Sequence, residues 1–125
     1  MTEKGRRKHI LIVEDDDAVA TLLERMLQVD YDVSREADGP GALAAATRNP
    51  PDLVILDVMI PGFDGLGVAH RLKLVPETRR VPFIFLTAKA SPKDAARGLE
   101  AGAKADITKP FHVRDVLDRV RKLIG

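Results

Sequence analysis

The chain contains no cysteine, so disulfides, thiolate metal sites and cysteine nucleophiles are excluded. No stretch approaches the run of roughly 18 apolar residues that a bilayer-spanning helix needs. Internal repeats and low-complexity segments are absent, and the loop after the first apolar run is acidic and lacks glycine, which argues against a phosphate-cradling nucleotide site. The net charge of +1 points to no partner class. Lys4, Arg6, Arg7 and Lys8 crowd into residues 1–8, a tail too short to carry a nucleic-acid role and read as a solvated leader. Immediately after this tail comes a strand-like run ending in carboxylates, not a small-residue cleavage site, so the expectation is a cytoplasmic protein with no membrane and no direct nucleic-acid contact.

The 125 residues suffice for one domain, expected over residues 9–125, with 45% hydrophobic and 31% charged residues as in a soluble globular fold. Five short apolar runs recur: His9 to Val13, Tyr31 to Ala37, Leu53 to Leu56, Phe83 to Leu86 and Ala105 to Ile107. The third and fourth are almost continuously Val, Ile, Leu and Phe, as expected of strands covered on both faces. Between them lie helical patterns. Val19, Leu22, Leu23, Met26 and Leu27 form one apolar stripe, and Val113, Val116, Leu117, Val120 and Leu123 form another. Weaker helices are predicted from Pro40 to about Arg48, Gly65 to about Leu74, and Pro92 to about Ala101. Pro40 and Pro92 suit first turns, Ser91 an N-cap and Gly102 the residue after a helix end. Alternating strand and helix predicts a parallel sheet with helices on both faces.

In such sheets chemistry collects at the carboxyl ends of the strands. The polar residues there are Glu14, Asp15, Asp16 and Asp17, then Asp57, Thr87 and Lys109. Crowded carboxylates repel unless a cation intervenes, and a hard, oxygen-rich site of few ligands suits Mg²⁺, with Mn²⁺ as the substitute. Glu14, Asp15 and Asp57 are the candidate ligands. A carboxylate beside such an ion is a competent nucleophile toward phosphorus, which singles out Asp57. Lys109 would neutralise phosphoryl oxygens and Thr87 would offer a hydroxyl. Each residue also has a plainer reading. Asp16 and Asp17 suit a helix N-terminus, with one of them as N-cap. Asp57 alone is a common turn residue before Pro61 and Gly62, Thr87 a β-branched strand residue, and Lys109 a surface lysine. Convergence on one rim favours the functional readings. His9, His70 and His112 have no ligand spacing and read as strand-start, helix-surface and helix-start residues.

The runs "ILIVEDD", "DLVILDVMIPGFDG", "PFIFLTA" and "ITKPF" resemble the hallmark segments of receiver domains of two-component response regulators, from about His9 to Leu123. The resemblance implies a flavodoxin-like (βα)5 doubly wound α/β sandwich with strand order 2-1-3-4-5. It implies phosphoryl transfer to Asp57 from a sensor histidine kinase or histidine phosphotransfer protein, small phosphodonors substituting. Asp15 would bind the metal directly, Glu14 through water, and the backbone carbonyl of Met59 would complete the protein ligands. Thr87 would be the switch residue, with the Ala88 backbone amide near the phosphoryl group, and Pro110 would follow Lys109 through a cis bond. The output would be a downstream domain or target protein, met by a monomer or a phosphorylation-dependent homodimer through the last two helices and the last strand.

One position departs from the family. Many receivers carry an aromatic residue three positions before the lysine, and Asp106 stands there. Signalling is therefore expected to run through Thr87 and a shift of the segment after the fourth strand, since Asp106 cannot fill an apolar slot without a desolvation cost. Two other functions compete: a pseudo-receiver interaction module that works unphosphorylated, and a haloacid-dehalogenase-like phosphohydrolase. The latter wants a second aspartate two positions after the nucleophile, where Met59 stands.

Overall fold

A computed structural model of the chain describes residues 7–62, 64–87 and 102–125. Its strands are β1 (His9–Val13), β2 (Asp32–Glu36), β3 (Leu53–Asp57), β4 (Phe83–Thr87) and β5 (Ala105–Thr108), all parallel, in the order β2-β1-β3-β4-β5. The helices among the described residues are α1 (Asp17–Leu27), α2 (Gly39–Arg48), α3 (Gly65–Leu74) and α4 (Val113–Ile124). The helix expected over 92–101, with Ser91 as its cap, lies outside the described residues. This is the flavodoxin-like α/β sandwich, and its element ends fall within a residue or so of the positions that periodicity predicts.

The two-residue period of the strands sorts their side chains into two cores. Ile10, Ile12, Ile55, Ile84 and Leu86 face Leu23 and Leu27 of α1 and Val116 and Val120 of α4. Leu11, Val13, Val54, Leu56 and Phe85 face Ala42 and Ala46 of α2 and Val68 and Leu72 of α3. β3 is central and buried at every residue, whereas edge strand β2, Asp-Val-Ser-Arg-Glu, is only partly covered. Each fully buried Leu or Ile contributes about 2 kcal/mol through area removed from water.

The α1 stripe differs from the periodic expectation at one position. Leu22 is 46% exposed, and Ala20 takes the buried place beside Leu23 and Leu27. Ala20, Leu23 and Leu27 are spaced i, i+3, i+7 and share one face, while Leu22 sits on the far side of that line. Met26 packs at the margin of this core. Aspartates start three helices. Asp16 is the N-cap of α1 and accepts from the amides of Ala18 and Val19, Asp38 accepts from Gly41, and Asp64 from Gly67. Such caps are worth about 1 kcal/mol each.

His9 begins β1 and meets the Ser34 hydroxyl at 2.7 Å, His70 is exposed on α3, and His112 precedes α4 without a capping side-chain bond. Among the described residues no helix is long and apolar enough to cross a membrane.

Candidate functional site

Register brings the rim together. Val13 pairs with Leu56, so Glu14 stands level with Asp57; Asp57 pairs with Leu86, one residue before Thr87; and Thr87 pairs with Thr108, one residue before Lys109. All strands run the same way, so these residues share one end of the sheet.

The carboxylates of Glu14 and Asp57 are almost entirely withdrawn from water, at 0% and 4% exposure. Lys109 bridges them, its Nζ donating to Glu14 Oε1 at 2.7 Å and to Asp57 Oδ2 at 3.0 Å. Burial, and then the adjacent Asp57 carboxyl, push the Glu14 carboxyl up to about 7 against the opposing pull of Lys109 and the Asp16 amide. Burial pulls the Lys109 ammonium the other way, but its bonds to Glu14 and Asp57 together outweigh burial and raise it above the ordinary lysine value. Asp57 Oδ1 accepts from the Met59 amide at 3.0 Å, and Glu14 Oε2 from the Asp16 amide at 3.1 Å. Each buried oxygen pair is thus tied both to Lys109 and to its own loop.

Asp15 is exposed at the edge of this pair, and one oxygen from each of Glu14, Asp15 and Asp57 lies within 4.8 Å of the others. Three carboxylates against one ammonium leave an excess of negative charge, and their donors are all hard oxygens. That set fits a small divalent cation better than any softer metal. Asp16 and Asp17 do not join it; Asp16 caps α1 and Asp17 pairs with Arg35 at 2.9 Å.

The remaining predicted residues divide. Met59 keeps its side chain in solvent, at 71% exposure, while its backbone is tethered to Asp57. Thr87 ends β4 half-buried, and its carbonyl accepts from the Lys109 amide at 2.6 Å. The Lys109–Pro110 peptide bond is cis. Ala88 lies outside the described residues. Asp106 pairs with Phe85 across the β4–β5 ladder, and its Oδ1 is buried without a hydrogen-bond partner among the described residues. Burial raises the carboxyl of Asp106 above the ordinary aspartate value.

Two features of the rim have no motif to announce them. Arg35 of β2 donates from both Nε and Nη2 to the Glu14 carbonyl, at 3.1 and 2.9 Å. In sequence it is one more charge on an edge strand. Gly65 opens α3 as the helical pattern predicts, and a Cβ there would sit 2.5 Å from the Asp57 carbonyl oxygen and 2.8 Å from Val58 Cα. The signal available was a glycine at the start of a helical pattern. Gly62, in the loop after β3, has φ +86°.

Comparison with known proteins places this rim in a family. The response regulator receiver domain matches residues 10–121. Response regulator PleD of Caulobacter vibrioides is 45% identical over 115 residues, 91% of this chain and 25% of that protein. A response regulator structure from Chloroflexus aurantiacus aligns with a TM-score of 0.90 at 38% identity, covering 94% of this chain and 98% of that one. The receiver domain of sensor histidine kinase PA1611 from Pseudomonas aeruginosa, solved with a magnesium ion coordinated in its active site cleft, aligns with a TM-score of 0.88 at 33% identity, covering 95% and 98%. The chain spans only a quarter to about half the length of the curated relatives it matches. By the family match over nearly its whole length, the chain belongs to the response regulator receiver domains, the signalling modules of two-component systems.

Proposed function

We propose that this receiver accepts a phosphoryl group on Asp57, with a divalent cation as cofactor, and relays the change to an output domain or target protein. One observation carries the reading: two buried carboxylates, Glu14 and Asp57, share the single Lys109 ammonium at 2.7 and 3.0 Å on the carboxyl rim of the sheet. Two buried carboxylates on one ammonium leave negative charge that a bound cation would offset.

The donor would be a phosphohistidine of a sensor histidine kinase or phosphotransfer protein. A carboxylate oxygen of Asp57 attacks phosphorus, the new P–O bond forms as the P–N bond breaks, and the electron pair leaves with the donor imidazole, which takes up a proton. Lys109 is already within reach of Asp57 and supplies a positive charge for the incoming phosphoryl oxygens. Thr87 would offer its hydroxyl to another oxygen, and the Ala88 amide would donate its N–H. Glu14, Asp15, Asp57 and the Met59 carbonyl would hold Mg²⁺ or Mn²⁺, which when bound neutralises the charge that gathers between carboxylate and phosphoryl oxygens.

The reaction is with the chain itself, so we assign no multi-turnover activity. Residues 9–125 form the receiver and 1–8 a basic tail, and the protein works in the cytoplasm, where its donors act, as a monomer or a phosphorylation-dependent homodimer. With Asp106 in place of an aromatic residue, the signal passes through Thr87 and the segment that follows β4.

Incubation with acetyl phosphate and Mg²⁺, followed by intact-mass measurement, tests the assignment. The wild type should gain one phosphoryl group, and neither Asp57→Asn nor the wild type in EDTA should. Absence of any Asp57-dependent adduct would favour an unphosphorylated interaction module, and sustained hydrolysis of ordinary phosphate monoesters a phosphohydrolase.

A further inference from the structure

We propose that Arg35 is a positioning residue for the acidic cluster, setting the span of the Glu14–Asp17 loop and so holding Glu14 and Asp15 where they can serve a cation. The inference rests on reading that cluster as a divalent-cation site.

Arg35 lies on edge strand β2, in register with Ile12 of β1, two residues short of Glu14. Its guanidinium crosses the end of β1 and divides its donors. Nε and Nη2 both reach the Glu14 carbonyl, at 3.1 and 2.9 Å, while Nη1 meets Asp17 Oδ1 at 2.9 Å. The rigid planar fork therefore measures the distance between the end of β1 and the first residue of α1. Between those two points sit Asp15 and the Asp16 cap. The opposite side of the same residue is held by β2 backbone, since the Glu14 amide donates to the Glu36 carbonyl at 3.0 Å. Glu14 is thus gripped by β2 through both its N–H and its C=O.

This grip opposes a force. Glu14, Asp15 and Asp57 bring oxygens within 4.8 Å of one another, and like charges that close push their loops apart. Asp57 is fixed in the central strand, so the loop after β1 is the part free to yield. As an ion pair alone the Arg35–Asp17 contact would count for little, because Asp17 is 91% exposed. The anchor is the half-buried Arg35 side chain on the Glu14 carbonyl, for which the exposed pair supplies orientation. Groups that orient ligands in this way commonly change metal affinity by about 10- to 100-fold when removed.

Positioning and charge predict opposite signs. If Arg35 acted only by its charge, removing it would tighten the binding of a cation to a cluster made more negative. If it positions the loop, removal weakens binding. Titration of the full chain with Mg²⁺, followed by amide NMR shifts, and with Mn²⁺, followed by electron paramagnetic resonance, reads the difference. Arg35→Ala should lose about tenfold in affinity. Arg35→Lys keeps the charge but cannot serve the carbonyl and Asp17 together, and should stay weakened. Acetyl phosphate labelling should then need more Mg²⁺ for half-maximal rate but approach the wild-type rate at saturation. Circular dichroism and melting in EDTA check the fold; if Arg35→Ala does not fold, Arg35→Lys and Arg35→Gln decide. Unchanged or tighter binding by a folded Arg35 variant overturns the inference and leaves the cation site standing. A wild type that binds neither ion overturns both.

Discussion

Asp57 and Asp106 are carboxylates on strands β3 and β5, separated by β4, and their surroundings treat them in opposite ways. Asp57 is nearly inaccessible, yet both its oxygens are engaged, one by the Met59 amide and one by Lys109. Asp106 is less buried, yet its Oδ1 has no hydrogen-bond partner among the described residues, and burial lifts its carboxyl. Depth alone does not determine the cost of a buried charge; the partner does. At Asp57 the fold assembles the counter-charge from a strand two places away. At Asp106, where many receivers carry an aromatic ring, it leaves one buried oxygen without a partner among the described residues.

The sharpest way to break this contrast is to remove the counter-charge. Lys109→Met should destabilise the protein by about 3 kcal/mol in urea unfolding with EDTA at neutral pH, because Glu14 and Asp57 are left facing each other. On the proposed reading, adding Mg²⁺ should recover part of that loss, since a ligand bound by the folded state stabilises it. An unchanged midpoint would show that Lys109 does not hold the pair.

Gly65→Ala tests the other side of Asp57 and should cost about 2 kcal/mol. The added methyl meets backbone atoms of Asp57 and Val58, which cannot swing aside as a flexible side chain would. Slower labelling of Asp57 should accompany it. Wild-type stability together with a wild-type labelling rate would mean that the approach of α3 to β3 is looser than 2.5 Å implies.

Asp106→Asn has the smallest effect and the opposite sign, a gain of about 1 kcal/mol at neutral pH. The folded carboxyl holds its proton more tightly than the ordinary 3.8. Its contribution to stability is therefore complete below that value and is lost as pH rises through the raised folded one. Asparagine cannot ionise, so its advantage over the wild type should be present at neutral pH and vanish in acid. Urea midpoints at the two conditions check this, and a pH-independent difference would remove the contrast with Asp57.

The strand–helix alternation, the span of each described element and the candidate rim residues were legible in the chain, because periods of two and 3.6 are local properties of backbone geometry. The four quoted segments carried the family resemblance for the same reason: each is short and continuous. Less legible was anything that depends on the packing of one element against another. Periodicity admits Leu22 to the α1 stripe, and only the seating of α1 on the sheet replaces it with Ala20. The pattern of β2 marks Arg35 as a half-exposed charge, and only the β1–β2 register brings it to the Glu14 carbonyl. Sequence alone thus determined which groups stand at the carboxyl ends of the strands. Tertiary structure decided which carboxylates are paired: Glu14 and Asp57 meet at Lys109, while Asp106 Oδ1, within β5, has no partner among the described residues, because pairing depends on register across strands.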